Sequence, residues 1–288
     1  MLGAMLPDDV RPVDPPIPIV DDLERVAFYV PTYMGPVDDL ALMARMPRLE
    51  VVQLLTAGYE NAERFLPRGV TLCNAGGVHD ASTAELAVGL IIASLRGIDS
   101  FARAMPSGSW VYGRREALAD KRVVVVGAGG VGQAIRQRLE PFEADVVMVG
   151  RSARPGVHAS GDLPALLPVA DVVVLAVPLT EDTHRLVDTE FLARMADGAL
   201  LVNVARGPVV DTDALTAQVA SGRLSAALDV TEPEPLPPDH PLWNLPGVLI
   251  SPHVGGNTSA FLPRARRLVA EQLRRFAAGQ PLEHIVSR

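Results

Sequence analysis

Between Lys121 and Ser251 the chain alternates short, unbroken apolar runs with longer mixed stretches. The runs fall at 122–126, 146–149, 171–177, 199–204, 225–230 and 248–251, and helix-length intervals separate the earlier ones. Unbroken Val/Ile/Leu runs of this length predict strands buried on both faces, as in a parallel sheet. Strand–helix alternation then predicts a doubly wound α/β domain. Upstream, Arg25 to Val30 (RVAFYV) and Glu50 to Leu55 read as strands, with a helix over Val37 to Arg45 between them. A turn at Thr56-Ala57-Gly58 follows the second strand, and Val70 to Cys73 makes a third. Thr83 to Arg96 has helical length, with Leu86, Leu90 and Ala93 on one face and Ala87 and Ile91 adjoining it.

The pattern therefore splits into a small α/β unit that stops near Asn74, a glycine-containing link (Ala75-Gly76-Gly77) and a larger repetitive domain. Arg264 to Ala278 reads as a closing helix, basic on its outer face, that returns to the first unit. The expected division is 1–75 with 256–288 as one domain and 76–255 as the other. The first 20 residues hold five prolines without periodicity and are expected to run as an extended arm.

Composition narrows the class. At 288 residues and 48% hydrophobic, the chain can bury the cores of two domains. A net charge of −8 argues against a nucleic-acid partner, which needs a basic face. The single cysteine, Cys73, rules out an intramolecular disulfide and reads as a small core residue in a reducing compartment. The start of the chain lacks the charged and apolar regions of a signal peptide. The apolar block Ala84 to Leu95 is interrupted by Glu85 and too short to cross a bilayer. A cytoplasmic protein without membrane partner or metal site is expected.

Candidate chemistry begins at Gly127-Ala128-Gly129-Gly130-Val131-Gly132. This G-x-G-x-x-G follows the strand Val123 to Val126 and opens a helix over Gln133 to Leu139, the setting of a dinucleotide loop. Gly127 permits the tight turn, Gly129 the close approach of a pyrophosphate, and Gly132 close helix–strand packing. Helix-start N–H groups at Gly130 and Val131 would hold the phosphates. In an NAD site an acid about 20 residues onward binds the ribose 2′-hydroxyl. No acid occurs between Val146 and Gly161. Arg151, Ser152 and Arg154 stand at the strand end instead, suited to a 2′-phosphate. NADPH is therefore expected in preference to NADH.

Arg206, Glu234 and His253 sit in NVARG, DVTEPEP and SPHVGG. A guanidinium, a carboxylate and an imidazole are the groups needed to hold a 2-oxo acid and protonate its carbonyl. Glu232 is a rival for the carboxylate. The six prolines from Pro233 to Pro246 read as stiffening the loop that carries Glu234.

Taken in order, the segments LLTAGYENA (54–62), Asn74 with Thr83-Ala84-Glu85, Gly108-Ser109-Trp110, the glycine loop, AVPLTEDT (176–183), NVARGPVVD (203–211), ALDVTEPEPLPPDHPLW (227–243) and SPHVGG (251–256) resemble the D-isomer-specific 2-hydroxyacid dehydrogenase family. The arginine at the second-strand end is similar to that of its NADPH-using glyoxylate/hydroxypyruvate reductases. The resemblance implies a Rossmann domain inserted in a smaller flavodoxin-like substrate domain, and a homodimer. It implies that Arg206 binds the substrate's carboxylate and carbonyl, that His253 is the general acid/base, and that Glu234 rather than Glu232 pairs with it. The loop Ala57-Gly58-Tyr59 would clamp the substrate carboxylate through backbone N–H groups. Asp229 and Pro178 would line the nicotinamide, with Thr83 and Thr183 as further cofactor contacts. Trp110 resembles a residue that some members send into a neighbouring subunit, though core or interface packing is the plainer reading of so large a side chain. His79, in the link, reads as structural.

Three departures stand out. A proline-rich arm is expected in place of the family's first strand and helix, which would trim the small domain. Thr231 replaces an aromatic residue after Asp-Val, and Gly150-Arg151 replaces the NAD-type acid. The expected activity is hydride transfer between NADP(H) and a small 2-oxo/2-hydroxy acid. Two rival readings are a dinucleotide sensor or co-regulator with little turnover, and an NAD-dependent relative acting on a bulkier or phosphorylated substrate.

Overall fold

The computed structural model describes residues 20–287, so the expected proline-rich arm lies outside the described residues except for Val20, which opens a 3-10 turn through Arg25. Contact density divides the chain into one unit running through His79 and resuming at Ser259, and a second from Asp80 to Thr258.

The smaller unit carries β1 (Phe28–Tyr29), β2 (Val51–Gln53) and β3 (Thr71–Cys73) from one end of the chain and β11 (Ile285–Ser287) from the other. Its sheet runs β1-β2-β3-β11, with the first three parallel and β11 antiparallel to β3. Met43, Val52, Leu54 and Leu72 fill one core, and Cys73 is fully buried. The helix expected over 37–45 is α-helical only at Val37–Ala41 and tightens to a 3-10 turn at Leu42–Arg45. Pro47 explains the stop, because it drives the preceding Met46 out of the helical region. The closing helix, Phe261–Ala277, starts three residues earlier than expected and buries Ala265, Ala270 and Gln272 in this unit.

The seven strands between belong to the larger unit: β4 (Arg122–Val126), β5 (Asp145–Gly150), β6 (His158–Ala159), β7 (Val172–Leu175), β8 (Leu200–Asn203), β9 (Ser225–Leu228) and β10 (Val248–Ile250). All are parallel, in the order β10-β9-β8-β7-β4-β5-β6. This is the doubly wound arrangement, with the order reversing beside β4. Side chains alternate by face, as pleating requires. Val124, Val126, Val173, Leu175 and Leu201 join one core, and Val123, Val125, Val172, Val174 and Leu200 the other.

The helix Asp80–Arg96 covers the second face through Ala84, Ala87, Val88 and Ile91, with Leu86 only partly buried. Of the expected positions Leu90, Ala87 and Ile91 are buried, so the stripe is centred on the adjoining Ala87–Ile91 side rather than on Leu86, where small alanines permit close approach to the sheet. The helix after the glycine loop begins at Gly130 rather than Gln133, so the loop's last glycines form its first turn. Among the described residues no single helix is long and apolar enough to cross a membrane.

Candidate active site

Three neighbouring strands deliver the Arg, the carboxylates and the His to one edge of the larger sheet. Asn203 ends β8 in register with Leu228 of β9, which is in register with Ile250 of β10. Arg206 follows the first by three residues, Asp229 and Glu234 follow the second, and His253 follows the third. Ligands of doubly wound sheets bind at this carboxyl edge.

His253 Nδ1 lies 2.5 Å from Glu234 Oε1, and both side chains remain partly exposed. It is Glu234, not Glu232, that meets the imidazole; the Glu232 backbone carbonyl accepts from Thr212 Oγ1 at 2.8 Å. His253 holds a left-handed backbone conformation (φ 51°), uncommon for a residue with a side chain. Asp229 secures that turn. Its buried carboxylate accepts from Ser251 Oγ at 2.6 Å and from the N–H groups of Val254 and Gly255, each at 2.9 Å. Its carbonyl accepts the His253 N–H at 2.8 Å. Thr83 packs against the same turn, since a Cβ on Gly255 would lie 3.4 Å from its methyl group. Ser82 and Thr258 share a 2.8 Å hydroxyl hydrogen bond nearby.

Arg206 is partly buried and donates from Nη1 to the Ala205 carbonyl at 2.7 Å. Buried Asn203 braces it, donating to the Arg206 carbonyl at 3.0 Å and accepting the Ala205 N–H at 3.0 Å. The next residue must be glycine: a Cβ on Gly207 would lie 1.9 Å from the Thr231 carbonyl oxygen. The Arg206 turn and the Glu234 loop therefore pack backbone to backbone.

The glycine loop follows β4 at the same edge. Gly127 has φ 120°, and a Cβ there would strike the Ala176 carbonyl at 2.3 Å; one on Gly132 would strike the Gly127 carbonyl at 1.8 Å. Gly130 leaves room for the Asp80 carboxylate, which would lie 1.9 Å from an added Cβ. Gly129, the N-cap, is different: a Cβ there would meet no other protein atom within 4 Å. Three glycines thus serve packing and one leaves open space before a ten-residue helix start, which fits a dinucleotide pyrophosphate. Val131 is partly buried in the first turn of that helix.

At the end of β5, Arg151 and Ser152 are exposed. Arg154 is exposed too, but its Nη2 donates to the Ala128 carbonyl at 2.8 Å, tying the β5 turn to the glycine loop. Thr183 Oγ1 is spent within its own turn, donating to the Pro178 carbonyl at 2.6 Å and accepting the Thr180 N–H at 2.8 Å. Trp110 is 92% exposed, which overturns a core role for it. In the smaller unit His79 is buried, 2.8 Å from the Leu55 carbonyl and stacked with Tyr33 and Phe261. Ala57, Gly58 and Tyr59 form a turn after β2, before the short helix Glu60–Glu63. Sequence reasoning missed the bracing of Arg206 by Asn203, the packing of Asp80 on the loop, and the hold of Asp229 on the His253 turn. Each depends on a hydrogen bond or close contact that no local residue pattern announces.

A glycine loop opening a helix, with an imidazole–carboxylate pair and a guanidinium at the same sheet edge, defines a nicotinamide-dinucleotide-dependent oxidoreductase. The model of the D-isomer specific 2-hydroxyacid dehydrogenase NAD binding domain matches residues 88–255, over half of the sequence. The chain belongs to the D-isomer-specific 2-hydroxyacid dehydrogenase family. It is 34% identical over 250 residues to the glyoxylate reductase of Thermofilum pendens, covering 82% of this chain and 74% of that one. It is 35% identical over 237 residues to the glyoxylate reductase/hydroxypyruvate reductase of Mus musculus, covering 77% and 72%. Among solved structures, it is similar to a D-isomer specific 2-hydroxyacid dehydrogenase from Xanthobacter autotrophicus in complex with NADPH (TM-score 0.79, 34% identity, 92% and 86% covered). It is also similar to an NADPH-dependent glyoxylate/hydroxypyruvate reductase from Sinorhizobium meliloti in complex with NADP and sulfate (TM-score 0.79, 27% identity, 91% and 85% covered).

Proposed function

We propose that the protein reduces a small 2-oxo acid, glyoxylate or hydroxypyruvate, with NADPH preferred over NADH. The observation that carries this reading is the His253–Glu234 pair, delivered with Arg206 by adjacent strands to the cofactor edge. Relatives named for that reduction support the substrate class.

When bound, NADPH supplies the hydride to the carbonyl carbon. Arg206 orients the substrate's carboxylate and carbonyl and stabilises negative charge developing on oxygen. The Ala57–Tyr59 turn offers backbone N–H groups to the carboxylate. Glu234 fixes the histidine tautomer at Nδ1, leaving Nε2 as the position that exchanges a proton. From there His253 protonates the carbonyl oxygen as it becomes an alkoxide, giving the 2-hydroxy acid and a neutral imidazole that solvent reprotonates. Asp229, Pro178 and Thr83 line the nicotinamide side. Thr183 acts by shaping the Pro178 turn.

The cofactor preference rests on Arg151 and Ser152, exposed at the end of β5, on Arg154 beside them, and on the lack of an acid between Val146 and Gly161. We also assign a cytoplasmic homodimer. The exposed Met105, Trp110 and Tyr112 support the dimer, since they form an apolar segment that a second copy would cover.

Initial rates over a panel of 2-oxo acids, with each cofactor in parallel, test the proposal. Glyoxylate or hydroxypyruvate is expected to lead, NADPH to give the higher kcat/KM, and His253→Ala to cut kcat by about a hundredfold or more. Turnover that persists in His253→Ala, or equal use of NADH, would overturn the corresponding part.

A further inference from the structure

After β2 the smaller unit ties up three carbonyls in succession. The Ala75 N–H donates to the Thr56 carbonyl at 2.8 Å, Asn74 Nδ2 to the Ala57 carbonyl at 2.7 Å, and Thr56 Oγ1 to the Gly58 carbonyl at 2.7 Å. The N–H groups of Ala57, Gly58 and Tyr59 donate to no acceptor among the described residues. In a trans peptide the C=O and the N–H of the next residue point in opposite directions. Binding each carbonyl on one side therefore aims the following N–H away from that partner.

Asn74 is itself held on every polar atom. Its carbonyl accepts from Gln53 Nε2 at 2.9 Å, its N–H donates to the His284 carbonyl at 3.0 Å, and its Oδ1 accepts the Gly76 N–H at 3.2 Å. Behind it, Gln53 is fully buried, and its Oε1 accepts from the equally buried Gln272 at 2.8 Å. Gln272 closes the chain by exchanging hydrogen bonds with the Glu283 backbone, at 2.8 and 3.0 Å. A buried amide is costly unless satisfied, and this arrangement satisfies both.

We infer that Asn74 is a positioning residue for substrate binding: through the Ala57 carbonyl, and braced by the Gln53–Gln272 pair and the segment Glu283–His284, it presents the free N–H groups of residues 57–59 to the substrate carboxylate. This rests on the proposal that the turn takes that carboxylate. Asn74 touches no substrate in this account; it acts through the turn.

Kinetics of the full chain with glyoxylate and NADPH test it with three variants. Asn74→Ala removes the donor. Asn74→Asp keeps the size but sets an acceptor against the Ala57 carbonyl. Gly58→Pro removes one N–H from the turn itself. Both Asn74 variants are expected to raise KM for glyoxylate by about tenfold, the scale of one hydrogen bond, with kcat and the KM for NADPH within about twofold. If Gly58→Pro raises that KM and the Asn74 variants do not, the positioning role falls and the turn's role stands. If none raises it, the turn's role falls as well. A parallel loss of kcat, both KM values and Tm would assign Asn74 to the fold alone and overturn the inference. Should Asn74→Ala not fold, Asn74→Asp decides, and failure of both to fold also overturns it.

Discussion

Asp229 holds His253 in a backbone conformation that it would not choose. The left-handed φ costs roughly 1–3 kcal/mol for a residue with a side chain. Three donors converging on one buried carboxylate, and the His253 N–H on its carbonyl, offset that cost. Asp229→Asn places an amide where a carboxylate accepted three donors, so at least one buried donor loses its partner, at about 1–3 kcal/mol. The variant is expected to melt several degrees lower and to lose about tenfold or more in kcat/KM. Thermal melts with steady-state rates check both, and an unchanged melt with unchanged rates would remove Asp229 from this role. The settings of Arg206, Glu234 and His253 were legible in the sequence because each residue sits in a short distinctive motif, and the structure pairs Glu234 with His253. The support beneath them was not. Asn203 and Asn74 look like ordinary turn residues until their hydrogen-bond partners are known, and the Gln53–Gln272 contact joins opposite ends of the chain.

At the level of elements, the site depends on two loops that share a backbone contact. With Gly207 under the Thr231 carbonyl and Thr212 bonded to the Glu232 carbonyl, the Arg206 turn and the Glu234 loop are packed directly on each other. An added methyl group has no flexible side chain to displace, only main-chain atoms. Gly207→Ala is therefore expected to force the loops apart, destabilising by about 1–3 kcal/mol and lowering kcat/KM for the 2-oxo acid. Dinucleotide binding, followed by fluorescence, should be nearly retained, because the glycine loop lies on other strands. Equal loss of both would refute this division of labour. The long apolar runs made β4, β5 and β7 to β10 readable, since burial on both faces demands unbroken Val and Leu. The two-residue β6 and the terminal β11 are too short to show a period, and they are held by neighbours rather than by composition.

At the scale of the whole molecule, stability at alkaline pH is linked to one phenol of the smaller unit. There, Tyr29 donates its hydroxyl to the Asp39 carbonyl, and burial, aided by the Asp39 charge, pushes its pKa up to about 12 from 10.0. The folded value lies above the unfolded one. Its contribution is therefore complete below about pH 10 and is lost as pH rises toward 12. The melting temperature should fall between about pH 9 and about pH 11.5 by more in the native chain than in Tyr29→Phe. Matching slopes would show that the phenol is not responsible.

The order of strands has a consequence for how the enzyme can change. Arg151 stands at the end of β5 and His253 just beyond β10, five inter-strand steps apart in the sheet. At about 4.8 Å per step they are separated by roughly 24 Å, more than two screening lengths in physiological salt. On the roles proposed for Arg151 and His253, charge can therefore be added or removed at the β5 end with little effect on proton transfer at the β10 end. On those roles cofactor choice and acid–base chemistry would be two independent dials on one sheet, and natural drift or a protein engineer could turn the first without resetting the second.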